Sequence, residues 1–303
     1  MFGSSKPKPI DEREAQGETE RVYHEIRQTL RVTGVNLNFR TWASFERFFP
    51  VMWDAVRPNA ETRAFEEAAD RVRAEAVRAA DRLGRIGAAA AAGLGESQSY
   101  QVRAALELYH YVNPKLLVLT SAVRMALEGE PVGGGESGAA ERIVGGAPGR
   151  MYPMEMVSEE PDDEQTAAIF ADIQETLGLS QVNSDYRTLA LWPDYLQAAW
   201  RGLRPIMQGE EHREAADALR ELARSEARAL PYRVALSREQ VGALGEDADT
   251  VVQTTERFEQ LLPGLILNVA LLALEWRDAD ELTRSPFPVD LASSGTTSQG
   301  GAR

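Results

Sequence analysis

The chain contains no cysteine. That excludes disulfides, thiolate nucleophiles and cysteine-based zinc sites together. Lysine is almost missing too: Lys6, Lys8 and Lys115 are the only three, and arginine supplies the rest of 33 basic residues set against 47 acidic ones. The resulting net charge of −14 repels phosphate backbones and anionic lipid, so no nucleic acid and no membrane partner is expected. Histidine occurs at 24, 110 and 212 only, without His-x-x-x-His spacing, so no metal is expected. There is no Walker loop, no Gly-x-Ser-x-Gly and no dinucleotide fingerprint, so no cofactor is expected. Carboxylate, amide and hydroxyl groups are left to do any chemistry. No apolar run reaches the roughly 18 residues of a membrane span. The longest, 261–274, has the length of a buried core helix. The first 18 residues hold no apolar stretch of the signal-peptide kind. With the missing cysteine, that makes a cytoplasmic setting the expectation. Period-2 alternation is almost absent, which points to an all-α fold.

What is present is an internal repeat. Shifted by 147 residues, 22–73 falls on 169–220 without a gap. Val35-Asn36 meets Val182-Asn183, Arg40-Thr41 meets Arg187-Thr188, Trp53 meets Trp200, and Arg57-Pro58 meets Arg204-Pro205. A period this long describes two domain-sized halves rather than a solenoid, and related halves tend to pack as a symmetric dimer does. The expected architecture is therefore all-α, with two tandem helical repeats packed as an intrachain pseudo-dimer.

The boundaries follow from composition. Residues 1–16 read as a flexible N-terminal segment, 17–130 as repeat 1, 131–155 as a Gly-rich linker, 156–290 as repeat 2 and 291–303 as a disordered tail. Val22, Ile26 and Leu30 form one apolar stripe, as do Ile169, Ile173 and Leu177, predicting helices over 17–30 and 164–177. A second helix is predicted to begin near Asn38 and Asp185, and to end at the Arg-Pro pairs. Long Ala/Arg/Glu helices follow at 60–83 and 208–230. The last element of each half, about 102–128 and 250–276, is apolar and carries one proline, Pro114 or Pro263. Each proline predicts a kink and a freed carbonyl.

Because the copies should share scaffold residues, their differences mark candidate chemistry. Asn38 of the first copy is Asp185 of the second. Asp185, with Ser184 beside it, lies where a helix begins. It reads equally as an ordinary N-cap or as a single base beside N–H groups that suit an anion. Asn113 stands opposite apolar Leu262. A polar amide in an apolar helix must find a partner, which is either a held water or the carbonyl that Pro114 frees.

The duplicated helical unit, the Val-Asn-Ser-Asp-Tyr turn at 182–186 and Tyr-Val-Asn-Pro-Lys-Leu-Leu at 111–117 resemble the group I 2-haloacid dehalogenases over roughly 17–290. The resemblance implies an all-helical pseudo-dimer with one active site between its halves, working without a cofactor. It implies that Asp185 is the general base and that Asn113 helps to hold the water. Ser184, Asn183, Tyr186, Asn36 and Phe39 would form the substrate-binding walls, with the substrate carboxylate at backbone N–H groups such as those of Ser184 and Asp185. The partners it implies are a small 2-haloacid and water, and a homodimer of such chains is compatible with it. The implied reaction is direct attack of water on the halogen-bearing carbon, with inversion and no covalent ester. Leu116 and Leu262 depart from the family, standing where tyrosines are expected. Two other readings stay open: another small-carboxylate hydrolase or binding protein on the same scaffold, and a non-catalytic helical scaffold.

Overall fold

In a computed structural model the chain is described over residues 7–135 and 140–292. Among these residues it is all-α, and pairing of the β type is limited to the isolated bridges Thr62↔Arg142 and Ile143↔Leu291. The first half runs α1 (Gly17–Leu30), α2 (Leu37–Trp42), α3 (Phe48–Ala60), α4 (Arg63–Leu83), α5 (Ala88–Ala92) and α6 (Glu96–Leu127). The second runs α7 (Glu164–Leu177), α8 (Ser184–Leu189), α9 (Pro193–Met207), α10 (Glu210–Arg228), α11 (Arg238–Ala243), α12 (Ala248–Ala273) and α13 (Ala279–Leu282). Among the described residues no helix is long and apolar enough to cross a membrane.

Helices α1 and α7 start and stop at positions 147 apart, as do α2 and α8. The same offset recurs in tertiary bonds. The indole Nε1 of Trp53 donates to Glu25 Oε2 at 2.9 Å, and that of Trp200 donates to Asp172 Oδ2 at 2.6 Å. Arg57 pairs with Glu25, and Arg204 with Asp172. The amide of Val35 donates to the Glu12 carboxylate, and that of Val182 to Glu159. Residues conserved between the halves thus hold equivalent helices in place.

The core is built on α6 and α12, which pack against each other and are flanked by α4 and α10. From Leu108 to Leu127 every residue of α6 is buried. A helix covered on all sides is an interior helix, and each large apolar side chain so covered contributes roughly 1.5–3 kcal/mol. Surface helices show the opposite pattern: α10 buries only His212, Leu219, Ala223 and Ala227.

Several expectations from sequence are corrected. Helices α2 and α3 are separate, so Phe45 and Phe49 do not continue the helix of Phe39. The Arg-Pro pairs do not end helices: Pro58 and Pro205 sit inside α3 and α9, which stop two residues later. A proline two residues from a C-terminus costs a single hydrogen bond, which the remaining turns absorb. Of the N-terminal segment 1–16, expected to be flexible, residues 1–6 lie outside the described residues, and the rest makes tertiary contacts: Ile10 N donates to Arg40 O at 3.0 Å and Tyr23 Oη donates to Ile10 O at 2.9 Å. Within the Gly-rich segment the described residues 131–135 and 140–155 make tertiary contacts. Gly146 N donates to Gln28 O, and a side chain at Gly133 would collide with Tyr232 O. Of the tail, Leu291 and Ala292 bond to 142–143, while 293–303 lie outside the described residues.

Candidate active site

Asp185 is the second residue of α8 and is 5% exposed. It is not the cap of that helix, which is Asn183. Its carboxylate instead crosses to the other half of the chain, where Asn113 Nδ2 of α6 donates to Asp185 Oδ1 at 2.6 Å. Burial pushes the carboxyl up to about 6, against the lowering effect of the Asn113 donor and of its own backbone N–H. A carboxyl at that value is mostly ionised at neutral pH yet basic enough to take a proton from water.

Two elements fix its position. On α6, Tyr109 lies one turn before Asn113. Its hydroxyl donates to Ser184 O at 3.1 Å and lies 2.6 Å from Thr188 Oγ1. Tyr109 and Asn113, at i and i+4, therefore grip α8 from one helix face. On the other side Tyr186 Oη accepts from Asn268 Nδ2 of α12 at 2.9 Å.

The partner of the carbonyl freed at Pro114 explains why Asn113 is available to Asp185. Proline cannot donate to the carbonyl four residues back, that of His110. That oxygen accepts from Arg73 Nε at 2.9 Å, and Tyr111 O accepts from Arg73 Nη2 at 3.1 Å. Arg73 is 0% exposed and also pairs with Asp70. The freed carbonyl is thus satisfied by α4, and Asn113 is not consumed by it. Arg73→Met should leave the His110 carbonyl unpaired, while Tyr111 O keeps its in-helix donor, and cost about 1–3 kcal/mol, read by urea unfolding. A loss below about 0.5 kcal/mol would mean that the freed carbonyl does not depend on Arg73.

Around the carboxylate lies a cavity with about 20 Å³ open to the centres of water-sized molecules, lined by residues from α2, α6, α8 and α12. Asn36, Asn38, Asn113, Asn183, Ser184 and Asp185 supply its polar side, and leucines 37, 116, 261, 262 and 265 with Phe258 supply its apolar side. Leu37, Phe258 and Leu261 also line a neighbouring cleft, so the two spaces share one apolar wall.

Of the residues named from sequence, Asp185, Asn113, Ser184, Asn183 and Asn36 come together here. Phe39 and Tyr186 do not. They stand edge-on to Trp53 and Trp200, with ring centroids 6.0 and 5.6 Å apart, as equivalent core contacts of the two halves. The expected helix dipole is also weaker than its position suggests, because α2 and α8 are six residues each. Asn38 stands at the position equivalent to Asp185. It lines the cavity, with neither amide atom partnered.

Residues 33–186, which contain Asn38, Asn113 and Asp185, match the family model described as "Halocarboxylic acid dehydrogenase DehI". A configuration-inverting 2-haloacid dehalogenase of Pseudomonas sp. (strain 113) is 34% identical over 226 residues, 72% of this chain and 74% of that protein. An (R)-2-haloacid dehalogenase of Pseudomonas putida is 29% identical over 277 residues, 86% of this chain and 90% of that protein. A solved D-2-haloacid dehalogenase in complex with L-LA superposes with a TM-score of 0.83 at 27% identity, covering 90% of this chain and 97% of that one. The chain belongs to the DehI family.

Proposed function

We propose that the chain hydrolyses short 2-haloalkanoic acids to 2-hydroxy acids with inversion, by direct attack of a water that Asp185 activates. The observation that carries this reading is the Asn113–Asp185 bond: a buried, ionisable carboxylate held by an amide from the other half of the chain, beside space for one water. The names of the relatives support the substrate class.

In this mechanism a water sits between the free oxygen of Asp185 and the Asn113 carbonyl oxygen. As its oxygen bonds to the halogen-bearing carbon, Asp185 takes one of its protons, and the carbon–halogen bond breaks with its electron pair leaving on the halide. General-base action accounts for about 10²–10⁴ in rate, and alignment of water with the bond for much of the rest. Ser184 Oγ, 1% exposed and without a partner in the protein, is placed to donate to the substrate carboxylate. The substrate is larger than the space present, so Leu37, Phe258 and Leu261 are the side chains that give way as it enters. The same proposal treats the halves as a fused pair of related subunits with one asymmetric site. A cytoplasmic setting and a homodimer of such chains belong to it, the first supported by the absence of cysteine.

The test is a single turnover of D- and L-2-chloropropanoate in ¹⁸O-water with enzyme in excess. Label should enter the hydroxy acid, with configuration opposite to that of the substrate consumed. Unlabelled product would mean that the oxygen came from an enzyme ester and would remove Asp185 as a base.

A further inference from the structure

Four buried polar atoms in the cavity have no partner in the protein: Asn38 Nδ2, Asn38 Oδ1, Asn183 Oδ1 and Ser184 Oγ. Their residues are 2%, 4% and 1% exposed. Buried polar groups are nearly always paired, so such a cluster indicates a ligand that supplies the partners. Both ends of the Asn38 amide are unpaired, so it offers one donor and one acceptor whichever way the amide is turned.

A simple 2-haloacid does not match this set. Its ionised carboxylate only accepts, which suits Ser184 Oγ and Asn38 Nδ2, and its halogen donates nothing. The attacking water has two protons, and in the proposed mechanism Asp185 and Asn113 use both. Two acceptor oxygens, one on Asn38 and one on Asn183, then lack a donor. The walls opposite are leucines and Phe258, which cannot provide one.

We infer that the preferred substrates are 2-haloacids bearing a second polar, hydrogen-bond-donating group, such as a hydroxyl on the carbon next to the reacting one, and that Asn38 and Asn183 read that group. This rests on the dehalogenase reading above. A site built to bond a substrate hydroxyl discriminates strongly against an apolar analogue, because its own buried groups are left unpaired.

The decisive pair is 2-chloro-3-hydroxypropanoate and 2-chlorobutanoate, equal in heavy-atom count and differing by hydroxyl for methyl. The wild-type chain should favour the hydroxy acid by about tenfold or more in kcat/KM. Asn38→Leu and Asn183→Leu should each erase or reverse that order, read as the ratio of the two kcat/KM values whatever the absolute rates. A wild-type preference for 2-chlorobutanoate, or an order unchanged in both variants, overturns the inference. Should Asn38→Leu fail to fold, Asn38→Ala puts the same question. Binding of 3-hydroxypropanoate and butanoate by calorimetry gives a readout without turnover. Tighter butanoate binding overturns the inference even if chloroacids are hydrolysed. Tighter hydroxy acid binding with hydrolysis of neither chloroacid retains Asn38 and Asn183 as readers of a polar group and removes the dehalogenase.

Discussion

Asp185→Asn is expected to lose about 10²–10⁴ of kcat, the range a positioned general base contributes, and at the same time to gain thermal stability at pH 7.5. Both effects come from one cause. Ionising Asp185 against a pKa of about 6 rather than 3.8 costs about 3 kcal/mol in the folded chain. The group's folded pKa lies above its unfolded one, so the native state is relatively favoured below pH 3.8 and loses that advantage as pH rises through 6. The Asn113 donor still finds an oxygen on the new amide. The melting temperature should therefore rise by on the order of 5 °C at pH 7.5, and the difference should vanish near pH 3.5. Scanning calorimetry at the two pH values and halide release from 2-chloropropanoate read the two halves. Undiminished turnover would reduce Asp185 to a structural residue, and a lower melting temperature at pH 7.5 would show that its ionised form is needed by the fold.

The second large effect concerns Asn113→Leu. Leucine already occupies the repeat-equivalent position at 262, buried in α12, so an apolar side chain is sterically familiar there. The variant removes the hydrogen bond that holds Asp185 down to about 6, and the carboxyl should move higher. In the wild type, kcat/KM should fall on the acid side with a midpoint near 6, because the base must be ionised. In the variant that midpoint should move up, and kcat should drop by about 10-fold or more as the water loses its second anchor. A structural role alone would lower the yield of folded protein without moving the limb. An unmoved limb with unchanged kcat would leave Asn113 outside the mechanism.

Much of the fold was legible because its signals are local or self-referential. The stripes of α1 and α7 follow from residue spacing, and their shared length follows from the offset of 147. Repetition separated scaffold from candidate chemistry only in part, since Asn36 and Asn183, identical in both copies, line the cavity. Trp53 and Trp200 make the same bond in both halves, while Asp185 and Asn113, unmatched in their counterparts, meet at the cavity. Phe39 and Tyr186, expected as walls of the site, instead pack edge-on against Trp53 and Trp200.

The sequence by itself determined the helical class, the residue identities that recur at an offset of 147, the absence of thiol chemistry and a carboxylate, Asp185, whose counterpart is an uncharged amide. These depend on composition and on order along the chain. Tertiary structure alone decided the rest. Asp185 and Asn113 are 72 residues apart and become partners only when α6 packs across α8. Arg73, 37 residues from His110, takes the carbonyl that Pro114 frees, a pairing no spacing rule announces. Asn38 looked like a harmless neutral counterpart until burial left both ends of its amide unpaired at the cavity wall. A pKa, an unmet hydrogen bond and the size of a cavity are properties of what surrounds a residue, and those surroundings come from distant parts of the chain.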